Sequence, residues 1–93
     1  MIQAFFTGMF LFNAIPHLVK GITGETHMTP FKRVSSPRLN IVWAFANIVL
    51  AVLLCKPMVG VEIWAFVAGG LFMSLANAWL FGKPNARFPW HKD

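Results

Sequence analysis

Acidic side chains are almost missing from this chain. Glu25, Glu62 and Asp93 are the only three in 93 residues. General acid–base chemistry needs a carboxylate or imidazole held at the reacting atom, so candidates are few and an enzyme is not expected. Cysteine occurs once, at Cys55, which excludes an internal disulfide; at the end of an apolar run it reads as a small buried apolar residue. No glycine-rich phosphate loop is present. No serine has a base beside it in sequence, and no Cys or His pair has zinc spacing. Glu25, His27, His91 and Asp93 make only a sparse metal set. Neither a cofactor nor a metal is expected.

Charge of either sign is scarce as well: 12% of residues are charged and 57% are hydrophobic, against about 25% and about 45–50% in a typical soluble domain. A chain this short has too little interior to bury that apolar surface in water. Residues 1–19 and 39–55 carry no charged side chain, and between Lys56 and Lys83 the only charge is Glu62. A helix crossing a bilayer needs about 20 such residues. The reading is all-α: an integral membrane three-helix bundle forming one domain over 1–93. Its helices are expected near 2–19, 39–55 and 61–81, with a loop over 20–38 and a tail over 82–93. The first run has no cation before its core and no small-residue cleavage pattern after it, so it is expected to stay in the mature protein.

The net charge of +5 would suit nucleic acid in a soluble chain, but here the cations sort by side. Lys20, Lys32, Arg33 and Arg38 belong to the first loop; Lys83, Arg87 and Lys92 belong to the tail. Lys56 stands alone in the second connection. Three crossings put loop and tail together, so the positive-inside rule places the N-terminus outside and the C-terminus in the cytoplasm. The expected partners are the lipid bilayer, another copy or another membrane protein, and in one reading a small solute, with no nucleic acid.

Polar residues inside the apolar runs are the next signal, because unsatisfied polar groups in hydrocarbon are costly. In Phe12-Asn13-Ala14-Ile15-Pro16-His17, the proline lacks an N–H and crowds the carbonyl of Phe12. Asn13 and His17 share a helix face, and Gly21 suits a C-cap. Ser36-Pro37 is a helix start, with a capping serine and a proline in the first turn. Asn40, Ala44, Asn47 and Ala51 share a face of the second helix. Lys56 to Gly60 is short enough to predict an antiparallel hairpin of helices two and three, with Glu62 at a helix start and within reach of Lys56. In the third helix Gly69, Gly70, Ser74 and Ala78 form a small-residue packing stripe.

With the directions assigned, Asn13, His17, Asn40, Asn47, Ser74 and Asn77 all fall in the cytoplasmic half or near the middle. Two readings follow. One is a hydrogen-bonded packing knot. The other is a solute pocket of Asn13, Pro16, His17, Asn47, Ser74 and Asn77, since broken helices often line transport sites.

Asn13-Ala14-Ile15-Pro16-His17, Gly21, Gly24, Thr29-Pro30-Phe31, Ser36-Pro37, Asn40 and Trp43 together resemble a group of small uncharacterised bacterial membrane proteins. That resemblance implies a bacterial inner-membrane address and no activity. At the level of fold the chain also resembles SemiSWEET sugar transporters, three-helix halves that pair in parallel with the N-terminus outside. Ile15-Pro16-His17 stands where their Pro-Gln motif lies; His17 in place of Gln, the late Asn77 and the long first loop depart from it. The expected function is a small multi-pass inner-membrane protein acting as a homo-oligomer or accessory subunit. The alternative is a half-sized transporter or channel for a small solute.

Overall fold

The computed structural model of the chain describes residues 1–83 and 88–90. Three helices follow in order: α1 (Ile2–Ile22), α2 (Pro37–Leu54) and α3 (Val61–Phe81). Each is long and apolar enough to cross a membrane. Ser36 caps α2, its Oγ accepting from Leu39 N at 3.1 Å, with Pro37 in the first turn. Gly60 opens α3 at φ +58°, a conformation that favours glycine.

The helix runs through Pro16, as the expected span near 2–19 implies, and the Phe12 carbonyl goes without the N–H that any other residue at 16 would offer it. One local expectation is corrected at α1: the helix extends past Gly21, so that glycine is not the C-cap. Thr23 holds that position: its backbone N–H donates to Val19 O at 3.2 Å, and its hydroxyl proton is shared between Val19 O (2.8 Å) and Lys20 O (3.1 Å), the latter also accepting from Glu25 N at 2.8 Å. Gly21 is buried against α2, where a β-carbon would meet Pro37 O at 2.8 Å.

The helix order in space differs from the expected hairpin. α1 packs on both α2 and α3, whereas the backbones of α2 and α3 nowhere approach closely. Asn13 meets Asn47 and His17 meets Asn40, so α1 and α2 run antiparallel. Gly69 lies against Phe5 and Asn77 against Asn13, so α1 and α3 run parallel. The connection leaves Cys55 extended, at ψ 132°. Six extended residues span roughly 20 Å, enough to pass a helix about 10 Å across. Shortness fixes the opposite directions of α2 and α3, not their contact. The expected ion pair of Glu62 with Lys56 does not form; Lys20 pairs with Glu25 instead, at 3.5 Å.

The interior holds small and polar residues. The buried helix positions are Ala4, Thr7, Gly8, Ala14, His17, Gly21, Asn40, Ala44, Asn47, Ala51, Gly69 and Gly70. Large apolar side chains such as Phe6, Ile15, Phe45, Leu53, Leu71 and Leu75 face outward. A water-soluble core would bury those side chains. Helices in lipid gain little by hiding them and associate through close backbone approach and hydrogen bonds. Gly8 and Gly69 are such approaches, because a β-carbon on either would strike a backbone carbonyl of the facing helix, Phe66 O and Phe5 O respectively.

The first loop folds back on the helix ends. His27 and Ser35 form an antiparallel bridge, and Met28, Thr29 and Ser35 are buried. Thr29 Oγ1 accepts from the amides of Phe31 (3.2 Å) and Lys32 (3.4 Å). Ser35 spends its hydroxyl proton on Lys32 O at 2.9 Å, so in the 2.7 Å contact between the two hydroxyls Thr29 donates to Ser35. Trp90 Nε1 donates to Pro30 O, which ties the tail to this loop. Arg87 and Lys92, counted with the tail cations, and Pro84, His91 and Asp93 lie outside the described residues.

Candidate functional site

One asparagine from each helix meets at a single level. Asn77 Nδ2 donates to Asn13 Oδ1 at 3.1 Å, Asn13 Nδ2 donates to Asn47 Oδ1 at 3.0 Å, and Asn47 Nδ2 donates to Trp43 O at 2.9 Å. The direction is set at the last step. A carbonyl can only accept, so the Asn47 amide turns its nitrogen to Trp43 and its oxygen to Asn13. Each interhelical bond of this kind contributes on average about 0.6 kcal/mol.

A second polar layer lies one turn along α1. Asn40 Nδ2 donates to the carbonyls of His27 (3.1 Å), Ser35 (3.2 Å) and Ser36 (3.0 Å). Its Oδ1 is therefore left to accept, and His17 Nδ1 donates to it at 2.9 Å. Asn40 and His17 are both buried. This layer joins α1, the start of α2 and the first loop. The His27 ring packs on His17 (centroids 5.1 Å apart) and on Phe81 at the end of α3 (4.4 Å). Its Nε2 is buried with no hydrogen-bond partner among the described residues. Burial above all, with the nearby His17 and the Lys20 ammonium adding to it, pushes the His27 pKa down to about 4.

The six residues expected to line one pocket are thus divided. Asn13, Asn47 and Asn77 form the first layer, and His17 belongs to the second. Pro16, Ser74 and the edge of Asn77 line a groove of about 220 Å³ with Phe12 and Ile15, between α1 and α3. Ser74 donates to its own helix, to Gly70 O at 2.8 Å. The packing stripe divides too: Gly69 and Gly70 are buried against α1, while Ser74 and Ala78 are exposed. Residues four apart drift about 40° around a helix at each step. The contacts of α3 with α1 accordingly leave the four-residue row, passing through Phe66, Gly69, Gly70 and Asn77. Cys55 is exposed, not buried, because α2 and α3 stand apart where it lies.

Sequence patterns underrated the loop. His27, Thr29 and Ser35 hold it against the helices, and the one available signal was its length, unusual for an unstructured connection. Among the described residues no three His, Cys, Asp or Glu side chains gather for a metal. Beside the His27 ring lies a cavity of about 340 Å³, walled by Thr26, His27, Met28, Arg33, Val34, Phe81 and Lys83. No protein-family model matches the chain, and neither a curated protein nor a solved structure is similar to it.

Proposed function

We propose that the chain is a small multi-pass protein of the bacterial inner membrane that works as a homo-oligomer or as an accessory subunit of a larger membrane protein. The observation that carries this reading is the use of the intramembrane amides. Asn13, Asn40, Asn47 and Asn77 all bond within the chain, so the polar interior acts as a lock between helices and not as a solute site. Association is supported by the outward faces. Because the backbones of α2 and α3 stay apart, an apolar cleft of about 270 Å³ opens beside α1, lined by Thr7, Leu11, Ile48, Ala51, Val52, Cys55, Met58 and Phe66. The N-terminus lies outside and the C-terminus in the cytoplasm. The Trp90 contact with Pro30 is consistent with this, since it brings Trp90 of the tail to the loop that carries Lys32 and Arg33.

The test is the native mass of the protein extracted from its membrane into lipid nanodiscs. A multimer or a stoichiometric complex is expected, with Cys55 as a ready cross-linking point at the cleft. A lone monomer without a retained partner would overturn the proposal. The half-transporter reading keeps one support, the groove where Pro16, Ser74 and Asn77 come together. It predicts that a sugar, amino acid or ion raises the thermal stability of the protein in detergent, and that Ser74→Ala removes the effect.

A further inference from the structure

The asparagine relay has one open end. Trp43 O fixes its direction, so Asn47 and Asn13 each present an oxygen that receives an N–H. Asn40 Oδ1 receives one from His17. Asn77 stands first in the relay and turns its nitrogen to Asn13, which leaves its own oxygen outside the relay. Of the four asparagine oxygens within the helices, only Asn77 Oδ1 has no donor among the described residues.

The groove that Asn77 lines gathers further acceptors. Ser74 gives its proton to Gly70 O at 2.8 Å, so its Oγ is left to accept. On the α1 side stand Phe12 and Pro16, and Pro16 offers no N–H to the Phe12 carbonyl. The second N–H of Asn77 is the one side-chain donor of the wall not already used. Ile15 completes the lining, and none of the five residues carries a charge.

Depth and size narrow the occupant. At about 1.5 Å per residue, Ser74 and Asn77 lie about 5 and 9 Å past the midpoint of α3. That is inside a hydrocarbon half-layer about 15 Å deep, where an oxygen without a donor is costly. Ser74 is exposed, so the groove opens towards lipid. Its volume of about 220 Å³ is below the roughly 300–1,000 Å³ usual for ligand pockets. It admits a headgroup and leaves a tail among the acyl chains. A wall without charge does not compensate an ion at that depth, and a surplus of acceptors selects a hydrogen-bond donor.

We propose that the groove between α1 and α3 binds the hydroxyl group of a neutral, membrane-dissolved molecule, with Asn77 Oδ1 accepting its hydrogen bond. The inference rests on the membrane reading above, and on neither the oligomer or subunit role nor transport.

The test compares two probes of nearly one shape, para-hexylphenol and para-hexylanisole, of which only the phenol has an O–H. Each is titrated into phosphatidylcholine nanodiscs holding the full chain, and NMR follows the side-chain amides of the asparagines. The phenol should shift the Asn77 Cγ resonance saturably while Asn40 and Asn47 stay in place. It should bind about tenfold more tightly than the anisole, near the most that one such bond commonly contributes. Tetradecanol against its methyl ether separates the sources: a shift with both hydroxyl compounds assigns any lipid-borne hydroxyl, and a shift with the phenol alone assigns an aromatic one.

Asn77→Ala should remove the difference between phenol and anisole. Thr7→Ala should preserve it, because that hydroxyl bonds Gln3 O away from the groove. If Asn77→Ala does not fold, the two probes on the wild-type chain decide alone. Equal binding of phenol and anisole, an Asn77 resonance unmoved by every probe, or equal loss with both variants would overturn the proposal. So would an Asn77 resonance already at the bound position in a ligand-free multimer and released on dilution to monomer, which gives the oxygen to a partner helix. Failure of the membrane reading would look different, as a chain that does not enter nanodiscs at all.

Discussion

At the scale of single residues, the amide relay makes an ordered prediction. Asn13 takes part in two interhelical bonds and Asn77 in one. Asn13→Ala should lower stability by about 1–2 kcal/mol and Asn77→Ala by roughly half as much, with a coupling between them near 0.6 kcal/mol in a double-mutant cycle. Reversible unfolding in mixed micelles measures all three, and equal losses for the two single variants would contradict the relay. His27 makes a prediction in pH. Its folded pKa, about 4, lies below the ordinary 6.5, so the unfolded chain binds a proton that the folded loop refuses. The stability of the loop should be constant above pH 6.5 and fall as the pH drops from 6.5 towards 4. Amide exchange of residues 26–36 in neutral detergent reads this slope, which His27→Leu should flatten. That His17 and Asn13 share a face was legible from their spacing. That His17 pairs with Asn40, and that Asn40 also fastens the loop, was not, because those contacts join residues far apart in the chain.

At the scale of elements, close helix approach decides which glycines matter. A methyl group on Gly8 or Gly69 would meet backbone on the opposing helix, which cannot rotate away. Gly8→Ala and Gly69→Ala should each lower stability by about 1–3 kcal/mol. At Gly70 the obstacle is the Phe12 ring, 2.6 Å away, and a side chain can shift, so Gly70→Ala should cost less. Ala78→Leu, on an exposed face, should fall within about 0.5 kcal/mol of wild type unless a partner packs there. Micelle unfolding tests the order, and a Gly70 variant weaker than both others would refute it. The helices themselves were legible because bilayer thickness sets their length and hydrocarbon sets their composition. Ser36 with Pro37 and Gly60 marked two of their starts. Pro16 did not stop the first helix, whose expected span already ran through it.

At the scale of the whole molecule, orientation is the sharpest test. A reporter fused at the C-terminus should read as cytoplasmic, and one inserted in the connection between α2 and α3 should read as external; the reverse would overturn the charge argument. The sequence by itself determined that the chain forms three membrane-length helices, and which positions along them are small or polar, because solvent and length act on each segment independently. Only the tertiary structure decided that α1 stands between the other two, that three asparagines close one layer while His17 and Asn40 close another, and that the first loop folds back on the helix ends. The physical reason is that amides and imidazoles accept many partners, and a connection constrains direction more than neighbourhood. The choice among those partners is made by which backbones glycine allows to touch.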